Sequence, residues 1–300
     1  MRIRAIDTFR GLSIVLMVFF TLTLRLSDSL PDALVHNAEE SLHIGDFVLP
    51  MFLFASGMSM VFFARKRSRM KKSEYALDAL ERFGKLVLIS VFLTPFSAGG
   101  FLHMDEVMLN AVLFLPAIIL LGFSEVALAA VAVASVLLYL GLQNFAMLPD
   151  FTEYYLGGYP AAAFYLPVML AGAIAGRNLE HLEKILGAAL IAAVLLLFVV
   201  PPHKMSASPS FMALSVVFSL AVFSLVKNFK SGSLEYLGRK PIRYWVLMFA
   251  VLLIPLGIYA EVAGWGAPLH LGWPLAVVVS LLCLPILFLL SKALDKLTGQ

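Results

Sequence analysis

Runs such as ALAAVAVASVLLYL (127–140) and KILGAALIAAVLLLFVV (184–200) recur along the chain, and nothing else in it limits the fold as strongly. A helix needs about 20 apolar residues, at about 1.5 Å rise each, to cross the hydrocarbon core of a bilayer. Ten candidate windows lie near 9–25, 46–64, 83–98, 106–122, 126–142, 160–176, 185–201, 210–226, 242–260 and 272–291. In lipid only helices and closed barrels satisfy every backbone hydrogen bond, and these windows are too long and too uniformly apolar for barrel strands. The expected fold is therefore all-α: a polytopic membrane protein of about ten transmembrane helices, one domain over residues 1–300. Composition rules out the soluble alternative. Hydrophobic residues make up 61% of the chain and charged residues 14%, where soluble domains carry about a quarter charged. The first window follows MRIRAIDTFR without a small-residue cleavage site after it, so it reads as a retained helix rather than a secretory signal. Cys283, the lone cysteine, has no intrachain partner and reads as a small core hydrophobe.

Orientation follows from lysine and arginine, which concentrate on the cytoplasmic side of membrane proteins. With the N-terminus inside and ten alternating helices, only Arg25 and Lys204 of the 22 basic residues fall outside. Both termini are then cytoplasmic. The histidines divide the other way: His36, His43, His103, His203 and His270 lie in or beside external loops, and only His181 is internal. The external stretches FSAGGFLH, TEYYLGGYP and VAGWGAPLHLGWP are rich in glycine, proline and aromatics, and read as re-entrant turns or a compact cap.

Four stretches carry candidate chemistry. HNAEESLHIGDFVLPMFLFASG (36–57) joins a polar loop holding His36 and His43 to an apolar helix. A helix starting at Asp46 would use that carboxylate as its N-cap, and Pro50 offers no amide hydrogen to the Asp46 carbonyl, so an irregular polar corner is expected. His36 is then either a solvated loop residue or a general base at an active-site mouth. Five external histidines raise the question of zinc, but their spacing holds no close ligand pair, and no metal is expected. In IDTFRG, Asp7 and Arg10 share a helical face and can pair, which lowers the cost of charge beside lipid. Arg10 is either a topological anchor or a guanidinium aimed at phosphate. ARKRSRMKK (64–72) reads as a positive-inside signal, an anionic-lipid contact or an attractor for a phosphate-rich ligand. LEYLGRKPIRYW (234–245) sets Gly238, Arg239 and Lys240 before a helix start, as a topological signal or an anion site.

IDTFRGLSIVLMVF (6–19) and HNAEESLHIGDFVLPMFLFASG together resemble the start of the heparan-alpha-glucosaminide N-acetyltransferase family, within the wider group of transmembrane acyltransferases. The first part of that signature is matched by Asp7, Arg10 and Gly11. The second is matched by His36, then Asp46 ten residues later, Pro50, Phe52, Phe54 and Gly57. FYLPVMLAGAIAGR (164–177) and LEYLGRKPIRYW fit later segments more loosely. The family's asparagine near the end of the first helix is Thr21 here, and the chain reads as a prokaryotic-type homologue without a luminal N-terminal domain.

The resemblance implies acetyl transfer from cytoplasmic acetyl-CoA to an extracytoplasmic amino sugar or glycan in the cell membrane. It makes His36 the general base, with Asp46 and Thr21 as its catalytic companions, and gives Arg10, Asp7, Arg239, Lys240 and Tyr244 to the coenzyme. Imidazole has an ordinary pKa of about 6.5 and is mostly neutral at pH 7, as a base must be. An acetyl-histidine intermediate is the open alternative to direct transfer. The expected partners are the acceptor and membrane lipids, with a homodimer as the assembly and no role for nucleic acid. A transporter or glycolipid flippase is the competing function, although the charge-free middles of the windows differ from ion-coupled carriers, which keep ionisable residues near the bilayer midplane.

Overall fold

In a computed structural model, the protein is described over residues 3–27, 29–35, 42–67, 71–97, 104–144, 158–204, 206–262 and 271–299. His36 lies outside the described residues, as do the loops 98–103, 145–157 and 263–270 expected to form a cap. The described residues contain helices and no strands. In chain order these are α1 (Arg4–Leu26), α2 (Val48–Arg67), α3 (Lys72–Ser97), α4 (Glu106–Leu120), α5 (Glu125–Asn144) and α6 (Gly158–Arg177). Then follow α7 (Leu182–Leu197), α8 (Pro209–Val226), α9 (Gly232–Arg239), α10 (Pro241–Leu247), α11 (Ile254–Val262) and α12 (Trp273–Thr298). Helical backbone underlies the apolar windows where they are described, and among the described residues six spans are long and apolar enough to cross a membrane by length and composition. One of these, Pro241–Tyr259, runs through a π-helical stretch, Met248–Leu253, that joins α10 to α11.

Helix ends follow local chemistry. Asp105 caps α4 by accepting from the Met108 amide at 2.6 Å. Ser208 caps α8 and Ser231 caps α9, and Pro209 and Pro241 occupy first-turn positions where a missing amide hydrogen costs nothing. Asp46 departs from the expected role. The chain makes a 3-10 turn, Ile44–Phe47, before α2 begins at Val48. Asp46 lies inside that turn and accepts from the His43 amide at 2.8 Å. Pro50 falls in the first turn of α2, where its missing donor is harmless.

Two seams draw the bundle together through backbone contact. α2 lies against α6, where a Cβ on Gly57 would strike the Met169 carbonyl and one on Gly172 the Phe54 carbonyl. Gly172 and Gly176 stand four apart on one face of α6, the spacing that lets membrane helices approach closely. The second seam joins α1 to α9, with Gly11 facing Gly238. Between the seams, Phe9 packs edge-on against Phe54 and Phe223, with centroids 6.2 and 5.4 Å apart, tying α1, α2 and α8 together. Each such pair contributes about 0.5–1.5 kcal/mol beyond its buried area. α5 and α7 form the rim: Val133, Leu137, Ile191 and Leu195 are all more than half exposed. Such a surface is unfavourable in water and suits hydrocarbon.

Candidate active site

Polar side chains gather at both ends of the bundle. Asp46 and Ser59, one in each cluster, are 13 residues apart, which at about 1.5 Å per residue separates the clusters by about 20 Å.

The first cluster is organised by Arg10. Its Nη2 donates to Asp7 Oδ1 at 2.9 Å, its Nη1 to Ser59 Oγ at 3.0 Å and its Nε to the Gly238 carbonyl. The planar fork, with donors on all three nitrogens, holds an acid, a hydroxyl and a carbonyl at once in fixed directions. The glycine seam makes the third bond available, because α9 must lie directly on α1 for Gly238 O to reach the guanidinium. Arg239 follows on α9, with its Nε 3.9 Å from Asp7 Oδ2. Asp7, Arg10, Ser59, Phe62, Phe63 and Lys66 line a cleft of about 350 Å³. A second cleft of about 530 Å³ shares Ile3, Phe62 and Lys66 with it and adds Arg65, Asn178 and His181. Arg177 also borders the second cleft, but its guanidinium is engaged by the Leu121 and Phe123 carbonyls at the end of α4, at 2.7 and 2.9 Å.

Three expected site residues therefore converge here: Asp7, Arg10 and Arg239. Lys240 turns away and, with Arg243 and Tyr236, meets Asp295 on α12. Tyr244 is buried, and its hydroxyl donates to the Leu284 carbonyl at 2.6 Å. Both clip α9 and α10 to α12. Thr21 is half-buried on α1, while its neighbour Thr23 is fully buried, donating to the Phe19 carbonyl at 2.8 Å and lying 3.0 Å from Ser280 Oγ.

At the other end, Asp46 is fully buried and paired with a residue 158 positions away: Lys204 Nζ lies 3.1 Å from Oδ1. Oδ2 takes the His43 amide, and His43 Nδ1 lies 4.0 Å from the same oxygen. Lys204 stands in the turn between α7 and α8. Burial pushes its ammonium below the ordinary lysine value, and Asp46 and then Glu106 oppose that shift. The Tyr165 hydroxyl donates to the Lys204 carbonyl at 3.2 Å. Nearby, Asp105 is held by Ser90 at 2.6 Å, and burial raises its carboxyl above the usual carboxylate range. Asp46 thus has a partner on each carboxylate oxygen, the arrangement of a residue that holds its surroundings in place. Ser59 and Lys204 were absent from the sequence-derived site, and Gly238 entered it only as part of a candidate anion turn, not through its carbonyl. Lys204 carried a signal as one of two basic residues on the wrong side for topology.

Apolar helices long enough to span a bilayer, with paired charges at both ends, define a polytopic membrane protein. The catalytic-domain model of heparan-alpha-glucosaminide N-acetyltransferase matches residues 2–184, and the chain belongs to that family: it is a membrane acetyltransferase. No curated protein matches it significantly. The matched segment contains Asp7, Arg10, Thr21, His36 and Asp46. Lys204, Gly238 and Arg239 lie beyond it. Among the described residues, no three histidine, cysteine, aspartate or glutamate side chains gather as metal ligands would.

Proposed function

We propose that the protein takes an acetyl group from acetyl-CoA on the cytoplasmic side and delivers it to an amino sugar or glycan on the extracytoplasmic side. Ten membrane crossings with both termini inside fit the distribution of lysine and arginine. The observation that carries the reading is Arg10, held by three different partners at the wall of a cleft that also bears Lys66. A pre-organised guanidinium beside a lysine suits a phosphate-bearing donor, since the fork grips phosphate oxygens while the lysine adds a point charge. Arg65 and His181 in the adjoining cleft extend the same field.

In the transfer, the acceptor nitrogen attacks the thioester carbonyl. A C–N bond forms, the C–S bond breaks, and the coenzyme leaves as a thiolate, which becomes the thiol on receiving the proton that His36 carries from the acceptor nitrogen. His36 takes the proton the nitrogen sheds, and Asp46 steadies the turn that follows it in sequence. The donor must reach across the roughly 20 Å between the two clusters, so coenzyme and acceptor meet within the bundle.

The test is purified protein with labelled acetyl-CoA and a panel of hexosamines. Label should appear on an amino sugar. His36→Ala should abolish transfer while acetyl-CoA binding persists. Wild-type turnover in that variant would remove the base, and a panel that stays unlabelled would overturn the amino-sugar acceptor and return weight to transport or to an unusual acceptor.

A further inference from the structure

The turn that carries Lys204 is costly and heavily braced. Ala207 adopts a left-handed conformation, with φ 50°, that side chains other than glycine avoid. Around it the Ser208 amide donates to the His203 carbonyl at 3.0 Å, and the Ala207 amide to the Lys204 carbonyl at 2.9 Å. The His203 amide donates to Ser208 Oγ at 2.9 Å. Two tyrosines from other helices anchor the same turn: Tyr165 of α6 bonds the Lys204 carbonyl, and Tyr139 of α5 bonds Ser206 Oγ at 3.1 Å. All of this holds one ammonium, 6% exposed, against a carboxylate that is 1% exposed. A fold does not need that pair for stability alone. Apolar side chains of similar volume commonly replace buried ion pairs at no loss, whereas leaving one partner unpaired is severe. The surroundings are charged on several sides. His43 comes from the same turn as Asp46, Glu106 acts on Lys204 from α4, and Tyr165 feels Asp46 from α6.

We propose that Lys204 is a positioning residue for acetyl transfer: its ammonium locks Asp46, and through Asp46 the Ile44–Phe47 turn that opens α2. This role rests on the acetyltransferase mechanism proposed above, in which Asp46 belongs to the machinery. It reaches further than the family assignment, because Lys204 comes from outside the matched segment. The lock works through both oxygens of one carboxylate. Oδ1 is held by Lys204 and Oδ2 by the His43 amide, so loss of the ammonium removes the hold on Oδ1 and loosens the turn. Lys204 is too buried to touch a substrate, so its effect belongs to the rate of transfer and not to capture of the donor, whose cleft lies at the far end of α2.

The experiment compares Lys204→Met with Lys204→Arg in the full-length protein, reading kcat, the KM for acetyl-CoA, and amide hydrogen exchange across residues 43–48. For Lys204→Met, kcat should fall at least tenfold and donor KM should stay within twofold, with exchange across 43–48 faster by tenfold or more. Lys204→Arg keeps the charge and should retain at least a third of the wild-type kcat. Equal losses in the two variants, or a rise in donor KM that matches the fall in kcat, would show a general packing defect and overturn the proposal. If Lys204→Met does not fold, Lys204→Gln, which offers Asp46 a donor without charge, takes its place; kcat should then fall at least threefold with donor KM within twofold and exchange across 43–48 faster by threefold or more, and wild-type exchange would overturn the proposal. The exchange measurement needs no turnover. If the wild type acetylates no amino sugar, the functional reading fails by itself, while unchanged exchange in the variant would refute the lock itself.

Discussion

Replacing Gly238 with alanine sets a favourable local effect against an unfavourable contact, and the structure decides between them. Alanine is the better helix former, by about 1 kcal/mol in a helix interior. A Cβ at Gly238, however, would lie 2.6 Å from the Asp7 carbonyl carbon and 2.9 Å from the Gly11 amide nitrogen, with the Asp7 oxygen closer still. Ordinary contacts begin at about 3.5 Å, and the Asp7 oxygen sits closest, so α9 must retreat from α1 by roughly 1.5–2 Å. Overpacking of this kind costs about 1–3 kcal/mol. The retreat also withdraws the Gly238 carbonyl from Arg10, and a hydrogen bond to a charged group contributes about 1.5–3 kcal/mol. Sterics and the lost bond together outweigh propensity by about 1.5–5 kcal/mol, from the same three terms. Part of this should appear at the cleft, because Arg10 keeps Asp7 and Ser59 but loses the contact that fixes its plane. At about 1.4 kcal/mol per tenfold, affinity for acetyl-CoA should weaken about 10- to 100-fold, measured by calorimetry on the purified variant. Gly232→Ala, in the same helix with no atom within 4 Å of the new Cβ, is the matched control and should bind as the wild type does. If Gly238→Ala keeps wild-type thermal stability and donor affinity, then neither the seam nor the carbonyl contact matters as described.

Gly172→Ala should lower the thermal midpoint by several degrees, since its Cβ meets the Phe54 carbonyl across the α2–α6 seam, whereas Gly84→Ala, in open space on α3, should leave the midpoint unchanged or raise it. Equal midpoints for the two would contradict the close approach of α2 and α6. Asp105→Asn keeps an oxygen for Ser90 and Met108 while removing a carboxylate that burial disfavours. The raised carboxyl is stabilising while protonated, and that contribution is lost as pH rises through its elevated pKa. The variant should therefore gain in thermal midpoint relative to the wild type between pH 5 and pH 8, and a gap that narrows over that range would reverse the sign of the argument.

The membrane class and the positions of the helices were legible because hydrocarbon allows so few solutions: ALAAVAVASVLLYL leaves a chain little choice but helix. The Asp7–Arg10 pair was legible too, because spacing of three on a helix sets a shared face whatever lies around it. Partners distant in sequence were not. Nothing local says that the Lys204 ammonium meets Asp46, or that the carbonyl of Gly238 completes the Arg10 fork, since both depend on how helices far apart in the chain come to lie together. Sequence grouped Lys240 with Arg239 because they are neighbours in LEYLGRKPIRYW, and the family resemblance added Tyr244. The boundary between α9 and α10 falls at Lys240, and the two side chains leave on other faces toward α12. The α2–α6 seam did leave a trace, the glycines four apart in GAIAG, and a search for small residues at that interval would have found it.

The part of the chain that carries the family signature leans on the part that does not. Residues after 184 supply the counter-ion for Asp46 and the carbonyl for Arg10, so a fragment cut at the boundary of the recognised segment would leave one buried acid without its cation and one guanidinium short of a ligand. Shortened versions made for biochemistry should therefore be inert for reasons unrelated to missing reactive groups. Substitutions in the final third can be expected to mimic damage to the signature itself.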